Sequence, residues 1–132
     1  MGIDLQIKYN RFLYLVGFFL VSLLYPESTI TVLSPNGGEN IETSSSQVIQ
    51  WKGSGKRTSF VNIYFTTNGG TDWEKINFTQ DDGSYVWEVP NSGYSNCLIK
   101  IENFRDSDDF DISDKPFKIE GPSILVVLPG SG

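Results

Sequence analysis

The stretch Val61-Asn62-Ile63-Tyr64-Phe65-Thr66 decides the fold, because its apolar side chains return at every second position. A period of two puts Val61, Ile63 and Phe65 on one face of an extended strand, and Asn62, Tyr64 and Thr66 on the other. The same alternation runs through Cys97, Ile99 and Ile101 against Lys100 and Glu102, and through Tyr85, Trp87 and Val89 against Glu88. Shorter apolar runs at residues 30–33, 48–51, 73–78 and 117–119 bring the expected strands to seven. Between them stand Asn36-Gly37-Gly38, Gly53-Ser54-Gly55, Asn68-Gly69-Gly70 and Asp82-Gly83. Asparagine and glycine accept the positive φ that tight turns demand, so these positions read as turns.

Beyond residue 27 no window of ten residues carries a helical stripe, which leaves strands alone to build the core. The economical solution is all-β: an antiparallel β-sandwich of the immunoglobulin or fibronectin III kind, with about seven strands whose inward faces share one core. Trp51, Trp87, Val61, Ile63, Phe65, Ile99, Ile101 and Phe117 are the expected core.

Composition bounds the chemistry. The chain has 132 residues, 16 acidic against 10 basic, no histidine and one cysteine. Residues 1–27 hold two acids and two bases, so the other 105 residues keep the whole net charge of -6. Such a domain repels phosphate backbones, which argues against nucleic acid as a partner. Without histidine there is no Ser-His-Asp or Cys-His mechanism and no imidazole zinc site. A single cysteine forbids an internal disulfide, so an apolar core must hold the domain together.

The two ends read differently from the middle. Lys8 and Arg11 precede an uncharged run over residues 12–25 that Pro26 closes. A basic start before an apolar run of this length is the pattern of a secretory signal helix, and it is short for crossing about 30 Å of hydrocarbon. Residues 1–27 are therefore expected to be a signal peptide or an uncleaved N-terminal anchor, the only contact with a membrane, and the protein to be secreted or displayed at the cell surface. Residues 28–121 form the sandwich domain. Residues 122–132 resemble the start of a truncated second repeat: Thr29-Ile30-Thr31-Val32-Leu33-Ser34-Pro35 lies over Ser123-Ile124-Leu125-Val126-Val127-Leu128-Pro129 at a spacing of 94, about one sandwich domain. Neighbouring domains of the same longer protein are the partners this implies.

Six motifs in order resemble a known family. Ser34-Pro35-Asn36-Gly37-Gly38-Glu39, Trp51, Asn68-Gly69-Gly70-x-x-Trp73, Asp82-Gly83-Ser84-Tyr85-x-Trp87-x-Val89-Pro90, Cys97-x-Ile99-x-Ile101 and Asp111-x-Ser113-Asp114-x-Pro116-Phe117-x-Ile119 are similar to the Kre/Knh-type yeast cell-wall-synthesis domain, also called the Ser-Thr-rich glycosylphosphatidylinositol-anchored membrane family. The resemblance covers about residues 29–120. It implies an exported, non-catalytic β-sandwich module of surface or wall proteins and carries no catalytic residues with it. The Ser/Thr-rich tail of the fungal members is missing here, and Asn40-Ile41 stands where an aromatic often follows the first motif. The resemblance therefore favours a spacer in a multidomain exported protein over a fungal wall role.

Three constellations could carry chemistry. Asp106, Asp108, Asp109, Asp111 and Asp114 lie within nine residues and offer the hard oxygen ligands that Ca²⁺ takes, with the first four as candidate ligands. The plainer use of such residues is to cap turns on a solvated loop leading into the last strand, in which case no cofactor is needed. Trp73, Tyr64 and Tyr94, the last in the loop over residues 91–96, could stack on the sugar rings of a cell-wall polysaccharide; the plainer use is packing on the hairpin glycines and across strands. Asp72, Glu74, Asp81 and Asp82 are close in sequence, but a domain this small leaves little surface for a catalytic cleft. Asn77-Phe78-Thr79 fits the glycosylation acceptor pattern and would matter in a eukaryotic secretory pathway.

Overall fold

The computed structural model describes residues 28–53, 59–122 and 129–130, so the expected signal helix and most of the repeat start lie outside the described residues. The described part is all-β. Its strands are β1 (Thr31–Ser34), β2 (Asn40–Glu42), β3 (Ser46–Lys52), β4 (Phe60–Thr66), β5 (Glu74–Gln80), β6 (Ser84–Glu88), β7 (Tyr94–Asn103), β8 (Asp106–Ile112) and β9 (Phe117–Glu120). One sheet has the order β1-β3-β6 and the other β2-β9-β7-β4-β5, with β8 paired to β7.

Each of the seven expected strands is present, displaced by a few residues at its ends. Three readings need correction. The acidic stretch is not a loop: Asp106–Ile112 is a strand that folds back on β7, with Glu102 opposite Phe110 and Lys100 opposite Ile112. Tyr94 is not in a loop either, because β7 begins with it and pairs it with Ile119. Nor is the structure wholly antiparallel. The three residues of β2 run parallel to β9, with Ile41 opposite Ile119.

All eight expected core residues are buried, and Ile30, Val32, Ile41, Ile49, Val89, Cys97 and Ile119 join them. Trp87 of the smaller sheet meets two rings of the larger one, Phe65 at 4.8 Å and Phe117 at 6.4 Å between centroids. The sheets thus share one apolar interior, a sandwich-like arrangement whose burial supplies most of the stabilisation. The polar side of β4 departs from simple alternation, for Asn62 and Thr66 are buried as well. Thr66 is buried because its hydroxyl oxygen accepts the backbone N–H groups of Asn68 and Gly70, closing the β4–β5 hairpin from inside.

The chain passes from the smaller sheet to the larger between β1 and β2, and the first motif makes that crossing. Glu39 accepts the N–H groups of Asn36 and Gly37 at 2.7 and 2.6 Å. Asn36 and Asp114 bond reciprocally, side chain to side chain at 2.9 Å and Asp114 N–H to the Asn36 amide oxygen at 2.8 Å. Gly37 sits at φ 144°, and a Cβ there would come within 2.6 Å of the Lys115 Cβ, so only glycine fits. The buried Ser113 hydroxyl completes the joint, accepting the Ile99 N–H at 2.9 Å and donating to the Pro35 carbonyl at 2.8 Å.

Candidate functional site

The carboxylates of β8 are engaged with the first strand. Successive residues of a strand point to opposite sides, so Asp109 and Asp111 share a side. That side faces β1. Asp109 accepts the Ser28 hydroxyl at 2.7 Å, the Thr29 N–H at 3.0 Å and the Thr29 hydroxyl at 2.9 Å, as well as the Asn103 amide at 3.0 Å. Asp111 accepts the Val32 N–H at 2.8 Å. Partial burial pushes the Asp109 carboxyl up, but the bonds from Asn103, Ser28 and Thr29 together outweigh it and hold it below its ordinary value. Asp106 accepts the Asp108 N–H instead. Among the described residues no group of three or more His, Cys, Asp or Glu side chains is placed to hold a metal ion. Asp109 and Asp111 thus supply acceptors to the backbone N–H groups of Thr29 and Val32, in and just before an edge strand.

Three of the four acids at residues 72–82 also accept hydrogen bonds. Asp81 is buried and accepts the Trp51 indole N–H at 2.8 Å, Asp72 accepts the Asn68 amide at 3.0 Å, and Asp82 accepts the Ser84 N–H at 3.3 Å. Cys97 is fully buried, and that burial pushes its thiol up to about 11, only partly offset by a backbone hydrogen bond from Asn96. A thiol so placed has almost no thiolate at neutral pH.

The three candidate stacking residues fall at different places. Trp73 is half-buried at the β4–β5 hairpin, its ring over Gly70, where a Cβ would meet the ring at 3.4 Å. Tyr64 stands mid-strand on the outer side of β4, with the Lys100 ammonium 5.5 Å from its ring centroid and its hydroxyl 3.5 Å from Glu102. Burial first, then the Glu102 charge beside it, pushes the Tyr64 phenol above its ordinary value. Tyr94 lies six residues before Lys100 along β7, about 20 Å away at 3.3 Å per residue. It lines an open depression of about 390 Å³ beside Ile119, Glu120 and Gly121. Asn77 is half-buried in β5, opposite Ile63.

A different set of aromatics comes together. Phe60 and Phe78 stack with centroids 5.1 Å apart and planes at 16°, and Phe104 tilts against Phe78 at 4.9 Å. The three are exposed by 41%, 43% and 55%, far more than rings that serve the core. Register explains the grouping: Asn62 pairs with Phe78 on one side and Glu102 on the other, and Glu102 pairs with Phe110, so all four share the outer face of the larger sheet. The next row across is Lys75, Tyr64, Lys100 and Ile112. Lys75 lies 5.6 Å from the Phe78 centroid, and Lys100 lies 4.5 Å from that of Phe110 while pairing with Glu102 at 3.0 Å. This face is an aromatic sheet surface with ammonium groups set among the rings, the kind of surface that buries large area against a partner at low entropic cost. The sequence reading missed it. Phe60 shares the outward phase of Asn62 and Tyr64 and could have been found from that; Phe104 belongs to a turn and carried no such signal.

The residues behind the family resemblance are those that make the turns, the crossing and the core: Asn36, Gly37, Glu39, Ser113 and Asp114 at the joint, Gly70 and Trp73 at the hairpin, and Trp51 and Trp87 inside. None of them lies in the outer aromatic rows. Searches against protein-family models, curated proteins and solved structures found no match to this chain.

Proposed function

We propose that this chain is an exported, non-catalytic β-sandwich module of immunoglobulin-like topology, serving as a structural and adhesive spacer in a cell-surface or secreted protein of several domains. The observation that carries the reading is the exposed aromatic face of Phe60, Phe78 and Phe104, which offers a surface for adhesion. The sheet order supports the topology. A first strand divided between two sheets, β1 against β3 and β2 parallel to β9, and a last strand whose two parts β8 and β9 both pair with β7, are arrangements that suit an immunoglobulin-like sandwich. The likeness to the Kre/Knh-type domain and the apolar run after Lys8 and Arg11 support export and a place in surface proteins.

Cell fractionation of the full chain, expressed with its leader in a host with a general secretory pathway, tests this. The expected result is recovery outside the cytoplasm, with Leu15→Glu and Leu20→Glu together trapping the protein inside by breaking the apolar run. Recovery of the unaltered chain from the cytoplasm with its leader intact would overturn the proposal.

A further inference from the structure

We infer that the apolar run over residues 12–25 docks on the outer face of β4, β5, β7 and β8 while the leader is attached, so that the chain's own N-terminal segment covers the aromatic face and its removal bares it. The inference concerns the intact chain and stands whether or not that chain is exported. The face to be covered is apolar at its centre. At roughly 200 Å² per phenylalanine, the exposures of Phe60, Phe78, Phe104 and Phe110 leave about 350 Å² of ring surface uncovered. Apolar surface gathered in one place on this scale marks an interaction site.

The place where the leader joins the domain selects the occupant. Ser28 and Thr29 are bonded to Asp109 on β8, and the same carboxylate accepts the Asn103 amide. Phe110 follows Asp109, Phe104 follows Asn103, and the Phe104 N–H donates to the Phe60 carbonyl. The leader therefore enters at the end of the larger sheet where the rings collect. Among the described strands β8 pairs with β7 alone, so the chain can round its other edge from Asp109 on one side to Phe110 on the other. The three residues before Ser28 reach about 10 Å when extended, twice the roughly 5 Å between neighbouring strands. That is enough to round one edge. The uncharged run over residues 12–25 carries phenylalanine, leucine or valine on every side, so it presents apolar surface whichever side meets the sheet. As a helix it is about 21 Å long, against about 14 Å across the four strands, and it covers the ring row in a single pass. So short a tether holds the run at an effective concentration in roughly the millimolar range, which any free partner must match.

Limited proteolysis of the purified full chain by chymotrypsin, which cuts at the rings and leucines of the run, tests this, with sedimentation velocity on the same sample to establish that it is a monomer. When docking exchanges quickly, cleavage follows the population of the undocked form, and the expected result is a run cut about tenfold more slowly in the parent than in Phe78→Ser with Phe104→Ser. Both rings stand outside the shared interior, and circular dichroism of the two forms checks that the fold is kept. A reverse variant reads the face instead of the run. Leu15→Glu with Leu20→Glu should free the rings to bind bis-anilinonaphthalene sulfonate, a dye that brightens on exposed apolar surface, and adding Phe78→Ser with Phe104→Ser should remove that signal. A run cut equally fast in parent and ring variant would overturn the inference, and so would protection found only in an oligomer, or a parent that binds the dye as strongly as the charged-run form.

Discussion

Trp73 shows how a single residue can carry two readings in the sequence. A tryptophan just past an Asn-Gly-Gly turn reads equally as a platform for a sugar or as a lid on the turn, and the difference lies in the angle of one ring. In the structure the ring lies over Gly70, whose φ of 97° favours glycine and so disfavours a side chain between the ring and the turn. Trp73→Ala should therefore lower stability by about 1–2 kcal/mol, the cost of uncovering a partly buried ring. Urea denaturation measures this, and retention on immobilised wall polysaccharide, assayed in parallel, should not differ between the two forms. Unchanged stability together with lost retention would return Trp73 to the role of a sugar platform. Phe60 makes the opposite point. It looks like another apolar strand residue, yet it is 41% exposed and stacked on Phe78, because it is in phase with Tyr64 and not with Val61.

Strands whose side chains alternate were legible, since burial of one face writes itself into the sequence with a period of two. β8 was not. Four aspartates in Asp106–Ile112 argue against a strand on propensity, and what makes it one is remote: Glu102 and Lys100 pair with it, and its carboxylates find the N–H groups of Thr29 and Val32 some 80 residues earlier. β2 escaped notice for another reason. Three residues are too few to show a period, and its partner β9 lies at the far end of the chain. The role of Asp109 gives β8 a pH signature. Its carboxyl is held below the ordinary 3.8, so the stability it contributes is complete above that value and is lost as pH falls through the lowered one. Asp109→Asn should thus be less stable than the parent at pH 7, and the two should converge as pH falls through the lowered value, where a protonated Asp109 resembles asparagine. Thermal melts across pH 2–7 follow the difference; a constant offset down to pH 2 would mean that charge on Asp109 contributes nothing.

At the scale of the molecule, two sheets of unequal size become one folding unit through a shared interior of buried apolar side chains drawn from both. Trp87 is central among them: it stands on β6, an edge strand of the smaller sheet, and reaches Phe65 and Phe117 on β4 and β9 of the larger. Trp51, on the neighbouring β3, is fixed by Asp81, which directly follows β5, so an indole bond also ties the two sheets together. If these contacts make the sheets interdependent, the loss of Trp87 cannot be confined to one of them. Trp87→Ala should cost about 3–5 kcal/mol, the range for emptying a large aromatic site in a packed interior. The remaining tryptophans make the test specific, because Trp51 reports on the smaller sheet and Trp73 on a hairpin of the larger. Unfolding followed by tryptophan fluorescence and by far-ultraviolet circular dichroism should then give coincident transitions in both the parent and the variant. A variant that loses under about 1 kcal/mol, or whose two signals separate, would mean that each sheet holds without the other. The shared interior would then be a contact between two independent layers and not the core of one domain.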